Sequence, residues 1–217
     1  MDTHIFNKQN SLFNQFVAEI RDKNIQKDPM RFRKNIERMG EILAYEISKD
    51  LNYRSVDIET PLGISHEFVY SDKVVIATIL RAGLPLHQGV LNYYDDAENS
   101  FVSAYRKYTE KGDFDVHIEY IASPSIEDKV VILTDPMLAS GASIELAYKA
   151  LLTKGNPKHI HIATLIASEE GVEYVKNNMP SDKTTLWVGA VDKELNDKKY
   201  IIPGIGDAGD LAYGSKL

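Results

Sequence analysis

The run Asp135-Pro136-Met137-Leu138-Ala139-Ser140-Gly141-Ala142-Ser143 carries the densest chemical signal in the chain. It leaves a stretch of β-branched residues and enters a helical pattern. Small side chains let the backbone turn tightly, so successive N–H groups can converge on an anion at a helix N-terminus. Ser140 and Ser143 add hydroxyl donors. No Gly-Lys-Ser/Thr follows, which excludes a Walker loop, and there is no Gly-x-Gly-x-x-Gly fingerprint. On composition alone a plain helix cap is the commoner reading, ahead of a phosphate cradle. Asp135 shifts the balance, because a carboxylate beside a phosphate can accept hydrogen bonds from sugar hydroxyls; its other role would be a cap. Arg81 sits between a buried apolar run and Ala82-Gly83, where a guanidinium could grip an anion. His66, His87, His117, His159 and His161 show no metal-ligand spacing. His159 and His161 alternate in a strand and read as structural, and Trp187 reads as core packing.

These residues need elements to hold them. Lys73-Val74-Val75-Ile76-Ala77-Thr78-Ile79-Leu80 and Lys129-Val130-Val131-Ile132-Leu133-Thr134 read as strands buried on both faces. Each runs into a loop and then a helix, the first to Leu91 and the second over residues 143–154. Residues 159–167 and 184–188 add two more strands, with a short helix over 169–177. Upstream, Phe32, Ile36, Met39, Leu43 and Ile47 recur at helical spacing after Pro29. Arg31, Arg33 and Lys34 read as its solvated face. Residues 51–72 read as mixed and turn-rich, broken at Pro61-Leu62-Gly63. Residues 99–122 alternate in part around Glu110-Lys111-Gly112-Asp113, which predicts a β-hairpin flap. The whole predicts one α/β domain over 1–217: a mostly parallel central sheet flanked by helices, a helical extension over 1–50, and a glycine-rich C-terminal segment. Ligands should bind beyond the carboxyl ends of the strands.

Composition bounds the function. The 217 residues hold 25 Lys and Arg against 32 Asp and Glu, a formal net charge of −7. A broad nucleic-acid surface is not expected at that balance, whereas a small anionic substrate needs only backbone N–H groups and one or two arginines. With 0 cysteines, disulfides, thiolate metal sites and cysteine nucleophiles are excluded. No apolar run is long enough to span a bilayer, and residues 1–10 lack a hydrophobic signal segment. The expectation is a cytoplasmic protein with no membrane partner.

Five segments, in order, resemble the uracil phosphoribosyltransferase family. The run from Asp135 to Ser143 is similar to that family's Asp-Pro-Met-Leu-Ala-Thr-Gly-Gly-Ser signature. Ile79-Leu80-Arg81-Ala82-Gly83-Leu84 resembles its pyrophosphate loop, and Tyr200-Ile201-Ile202-Pro203-Gly204-Ile205-Gly206-Asp207-Ala208-Gly209-Asp210 its base-recognition segment. Tyr105-Arg106 resembles the start of its flap, and Arg31-Phe32-Arg33 its N-terminal helix motif. The resemblance implies transfer of the phosphoribosyl group of 5-phosphoribosyl 1-diphosphate to uracil, giving UMP and diphosphate. Pro136, Met137, Leu138, Ala139, Ser140, Gly141, Ala142 and Ser143 would form the donor loop, with 138–143 around the 5′-phosphate. Asp135 would contact the ribose hydroxyls, Arg81 and Arg106 the diphosphate, and Asp207 would sit near the donor. Ile201, Gly206, Asp207 and Ala208 would frame uracil. Mg2+ would arrive on the diphosphate, not in a protein metal site. GTP is implied as a candidate effector, and a homodimer or higher homo-oligomer as the assembly, with the apolar N-terminal helix as a candidate interface.

The chain departs from the pattern at Ala142 for Gly, Ser140 for Thr, Leu211 for a basic residue, and Glu169-Glu170 where a small residue or Pro precedes Glu. Ala142 would cost about 1 kcal/mol or more if its φ were positive, and nothing if it were helical. Two alternatives stay open: a phosphoribosyltransferase for another base, and a non-enzymatic regulator that senses nucleotides with the same fold. Thr134 before a single Asp135, instead of two adjacent acids, speaks against a purine or orotate enzyme.

Overall fold

The computed structural model describes residues 1–108 and 114–216, with side chains except in 104–108 and 114–118. Strand β1 (Asp2–Ile5) is followed by α1 (Leu12–Arg21) and α2 (Pro29–Ser48). Next come β2 (Tyr53–Thr60), β3 (Gly63–Tyr70), β4 (Val74–Leu80), α3 (Leu84–Leu91), β5 (Glu98–Tyr108) and β6 (Phe114–Ala122). The second half holds β7 (Val130–Thr134), β8 (Met137–Leu138), α4 (Ala142–Leu152), β9 (His159–Ser168), α5 (Glu169–Asn178) and β10 (Thr184–Asp192). The tail adds β11 (Glu194–Leu195), β12 (Ile201–Ile202) and α6 (Ala208–Tyr213).

The central sheet has the order β1-β10-β9-β7-β4-β5-β6, with β8 beside β9. Its pairings are parallel except β5 with β6. Along β4, Val74 and Ile76 enter one core while Val75, Ala77 and Ile79 enter the other. Successive strand side chains point to opposite faces, and helices cover both, so the strand reads as unbroken apolar sequence. The first core lies under α1, α2, α3 and α6, and the second under α4 and α5. The expected α/β architecture is the observed one. The β5–β6 ladder is the expected hairpin, whose turn at residues 110–113 lies outside the described residues.

Two segments differ from the sequence reading. Residues 53–70 form an antiparallel ribbon, β2 with β3, that makes its own sheet. Nearly every residue in it is exposed, so no core face imposes a two-residue hydrophobic period and the pattern was invisible. The N-terminal 50 residues, expected as a helical extension, also supply the edge strand β1, too short to announce itself. In α2, Asp28 caps the helix by accepting from the N–H groups of Met30 and Arg31, and Pro29 takes the first turn. Phe32, Ile36, Met39, Leu43 and Ile47 are fully buried, each contributing about 1.5–3 kcal/mol of transfer free energy. That apolar face is used inside the chain, so it is not available as the interface anticipated for it.

Candidate active site

A cavity of about 850 Å³ opens at the carboxyl ends of β4 and β7. The chain leaves β4 for β5 on one side and β7 for β9 on the other. The connections therefore diverge between β4 and β7, the switch point at which open α/β sheets place ligands. Hydroxyls lock the two strands there: Thr134 Oγ1 donates to Ala77 O at 3.1 Å and Thr78 Oγ1 to Thr134 O at 3.4 Å.

One wall is the loop from β7 to α4. Asp135 Oδ1 accepts from the Met137 N–H at 3.2 Å, turning the chain so that β8 can pair with β9. Gly141 then caps α4 with φ +86° and no capping side chain. A Cβ at Gly141 would stand 2.5 Å from the Tyr174 ring, so both conformation and space demand glycine. The first turn of α4 has N–H groups without intrahelical partners, and Gly141, Ser143 and Ile144 line the cavity beside them. Ala142 begins the helix and is not among the residues with positive φ, so replacing glycine there carries no backbone cost. The loop rests on α5: Ser168 Oγ donates to Ala139 O at 2.6 Å and accepts from the Gly171 N–H at 2.8 Å. Glu145, in the first turn of α4, is held below the usual carboxylate range by hydrogen bonds from Lys149 and Tyr174.

The opposite wall joins β4 to the tail. The Leu80–Arg81 and Ile202–Pro203 peptides are cis. Arg81 donates to Asp210 Oδ1 at 2.9 Å and to Gly214 O at 3.2 Å. Asp207 caps α6 by accepting from the Asp210 N–H at 3.0 Å, and its other oxygen lies 3.7 Å from Lys216 Nζ. Two further arginines brace this wall. Arg21 makes a two-pronged pair with Asp192, at 2.8 and 2.9 Å, and donates to Gly204 O at 3.0 Å. Asp192 also accepts from the Gly204 N–H at 3.0 Å. Arg33, read as part of a solvated face, donates to Ala212 O at 2.7 Å and lies over the Tyr213 ring.

Of the residues singled out in the sequence, Arg81, Asp135, Met137, Leu138, Ala139, Ser140, Gly141, Ser143, Gly206, Asp207 and Ala208 line the cavity. Pro136, Ala142 and Ile201 are not part of its lining. Ile201 packs its side chain into the first core, and its neighbour Tyr200 faces the cavity instead. The Arg106 side chain lies outside the described residues; its backbone pairs with Val116 on the β5–β6 hairpin. Sequence reasoning missed Lys199 and Lys216 on the lining and named Tyr200 and Asp210 only within the tail segment, with no role of their own. It also missed the Arg21–Asp192 clasp, whose partners are far apart in the chain and carry no local motif. Among the described residues no group of three or more His, Cys, Asp or Glu could hold a metal. Asp207 and Asp210 offer hard oxygen donors on one side of the cavity. That suits Mg2+, which binds through one or two carboxylates together with substrate phosphates.

The fold is that of the phosphoribosyltransferases. A solved hypoxanthine phosphoribosyltransferase of Staphylococcus aureus superposes with a TM-score of 0.50 at 16% identity, over 75% of this chain and 76% of that one. The uracil phosphoribosyltransferase model matches residues 7–215, and the chain belongs to that family. Uracil phosphoribosyltransferase of Porphyromonas gingivalis is 62% identical over 209 residues, 96% of each chain. The solved AQ2163 protein of Aquifex aeolicus superposes with a TM-score of 0.86 at 30% identity, covering 98% of this chain and 99% of that one.

Proposed function

We propose that the protein transfers the 5-phosphoribosyl group of 5-phosphoribosyl 1-diphosphate to uracil, giving UMP and diphosphate. Uracil N1 bonds to the anomeric carbon as the bond to the diphosphate oxygen breaks, and the N1 proton is released. One observation carries this reading: an anion-type loop, Arg81 and the glycine-rich tail converge on a single cavity at the switch point of the sheet. The loop 138–143 suits the 5′-phosphate, with Asp135 beside it for the ribose hydroxyls. The departing diphosphate gathers negative charge, and the Arg81 guanidinium, with Arg106 from the hairpin, stabilises it. Mg2+ carried on the diphosphate supplies further charge neutralisation when bound, with Asp207 as the carboxylate in reach. Uracil is uncharged, so paired donors and acceptors must read it; the backbone N–H and C=O groups at Gly206 and Ala208 supply both. A fixed N–H facing the exocyclic position would oppose the amine of cytosine and reject it. Closure of the β5–β6 hairpin would keep water from the reactive sugar.

A homo-oligomer belongs to the same reading. The β2–β3 ribbon leaves Ile58, Leu62, Ile64 and Phe68 exposed. A lone two-stranded ribbon is marginal in water, and a second copy of the chain is the occupant that would cover it. The test of activity is diphosphate release with Mg2+ and donor, comparing uracil, cytosine, orotate, hypoxanthine and no base, with and without GTP as effector. Release dependent on uracil, matched by UMP, is the expected result. Release with another base, or donor binding without release, would overturn it.

A further inference from the structure

Resting on that reading of the donor site, we propose that Lys199 is a further donor-binding residue, the side-chain cation for the 5′-phosphate. The loop that would hold this group, residues 138–143, contains no basic residue. Acids flank it: Glu145 stands in the first turn of α4, and Glu169 and Glu170 in the first turn of α5. Arg81 and Lys216 belong to the other wall, where they face Asp210 and Asp207. A phosphate dianion on the loop meets backbone N–H groups and hydroxyls there, so any side-chain cation for it must come from elsewhere.

Lys199 meets that condition by position. It lines the same cavity as Ala139, Ser140 and Gly141, and its Nζ lies 2.9 Å from Glu170 Oε1. Glu170 is next to Gly171, whose approach to the loop is so close that a Cβ would stand 2.2 Å from Ala139 O. The ammonium thus rests on a carboxylate at the shoulder of the loop. Both side chains of the pair are partly exposed, at 39% and 53%, and such pairs are weak enough to exchange partners.

The backbone gives an independent reason. Residues 197–199 form a three-residue turn between β11 and β12, closed by Asn196 N to Tyr200 O at 2.9 Å and Lys199 N to Asn196 O at 2.8 Å. Lys199 takes the left-handed position at φ +59°, where such turns favour glycine. A lysine is kept there against that preference, with its side chain on Glu170 and on the cavity lining. Strain of this kind gathers at ligand sites. When phosphate arrives, the ammonium turns from Glu170 to the dianion.

The test is calorimetric binding of ribose 5-phosphate and, separately, pyrophosphate, to the wild type, Lys199→Met, Lys199→Gly and Glu170→Gln. Lys199→Gly suits the left-handed φ, so it guards against a folding artefact. Both lysine variants should lose roughly tenfold in ribose 5-phosphate affinity and leave pyrophosphate binding unchanged, as expected for one charge-assisted contact. Glu170→Gln should hold or gain affinity. In turnover, KM for the donor should rise while kcat and KM for uracil stay near wild type. Unchanged ribose 5-phosphate affinity in both lysine variants would overturn the proposal. So would an equal loss in Glu170→Gln, because the pair would then act as a tether. Failure to make UMP, with ribose 5-phosphate binding still dependent on Lys199, would sink the uracil reading and leave this one standing.

Discussion

Arg81 is 37% exposed in its side chain and its partner Asp210 35%, so their ion pair contributes little to stability and costs little to exchange for diphosphate. Arg81→Ala should therefore lower kcat/KM for the donor by about 100-fold or more, the loss of a charged donor at the leaving group. Its melting temperature should stay close to wild type. Arg81→Lys should restore only part of the rate, since an ammonium cannot grip two oxygens in a fixed fork. Steady-state kinetics beside a thermal melt reads both; wild-type kinetics in Arg81→Ala would remove the residue from the mechanism. Asp207 separates charge from structure in the same way. Asn caps a helix about as well as Asp, so Asp207→Asn should keep the fold of α6 and raise donor KM or its Mg2+ requirement. Asp207→Ala should lose about 1 kcal/mol of stability in addition. At this scale much was legible: a strand ending in Arg81-Ala82-Gly83 and a loop opening on Asp135 announce themselves by local order. Asp210, Lys199 and Lys216 did not, because their meaning lies in a partner or a wall distant in sequence.

The elements that hold these side chains divide by how much of them is buried. β4 and β7 were legible because burial on both faces selects β-branched residues without a break. The ribbon β2–β3 was not, because it buries neither face against its own chain. Its apolar residues yield the test of assembly. Phe68→Glu or Leu62→Glu should shift the particle in light scattering toward the 24.4 kDa chain, with the far-ultraviolet spectrum unchanged. An unchanged oligomer would mean that the ribbon is not the contact, and a wild-type monomer would end the proposal outright. The tail is a second case. β12 and the cis Ile202–Pro203 peptide are held to β10 and α1 by the Arg21–Asp192 clasp on Gly204. Asp192 is largely buried, so Asp192→Asn leaves Arg21 with a weaker neutral partner. KM for uracil should rise several-fold while donor binding holds, which a measurement of both constants would separate.

At the scale of the whole molecule the two cores share one sheet, and the side of the sheet near β1 and β10 holds a cluster of rings that only the fold brings together. His159 and His161 lie on one face with ring centroids 4.7 Å apart, as their alternation in the sequence implied. The partner ring was not legible: Trp187 Nε1 donates to His161 Nδ1 at 3.1 Å, and His4 from the edge strand stacks on Trp187 at 4.1 Å. Indole can only donate, so Nδ1 of His161 must remain an acceptor and the ring must remain neutral. Burial, then the neighbouring His159 and His4, push its pKa down to about 3. An unfolded histidine titrates near 6.5. Between those values the unfolded chain binds one more proton than the folded one. The stability is therefore complete above about pH 6.5 and is lost progressively as pH falls toward 3. His87 and His159 are also pushed down by burial and act with the same sign. At pH 5 the loss from His161 alone should be about 2 kcal/mol. Denaturant unfolding at pH 7.5 and pH 5.0 measures it. His161→Asn keeps an acceptor for the indole and removes the titrating ring, so its stability should fall by about 2 kcal/mol less than wild type over that interval. If the two proteins lose stability equally, His161 is protonated in the folded chain, and the Trp187 hydrogen bond cannot be the contact that keeps this part of the sheet dry and neutral.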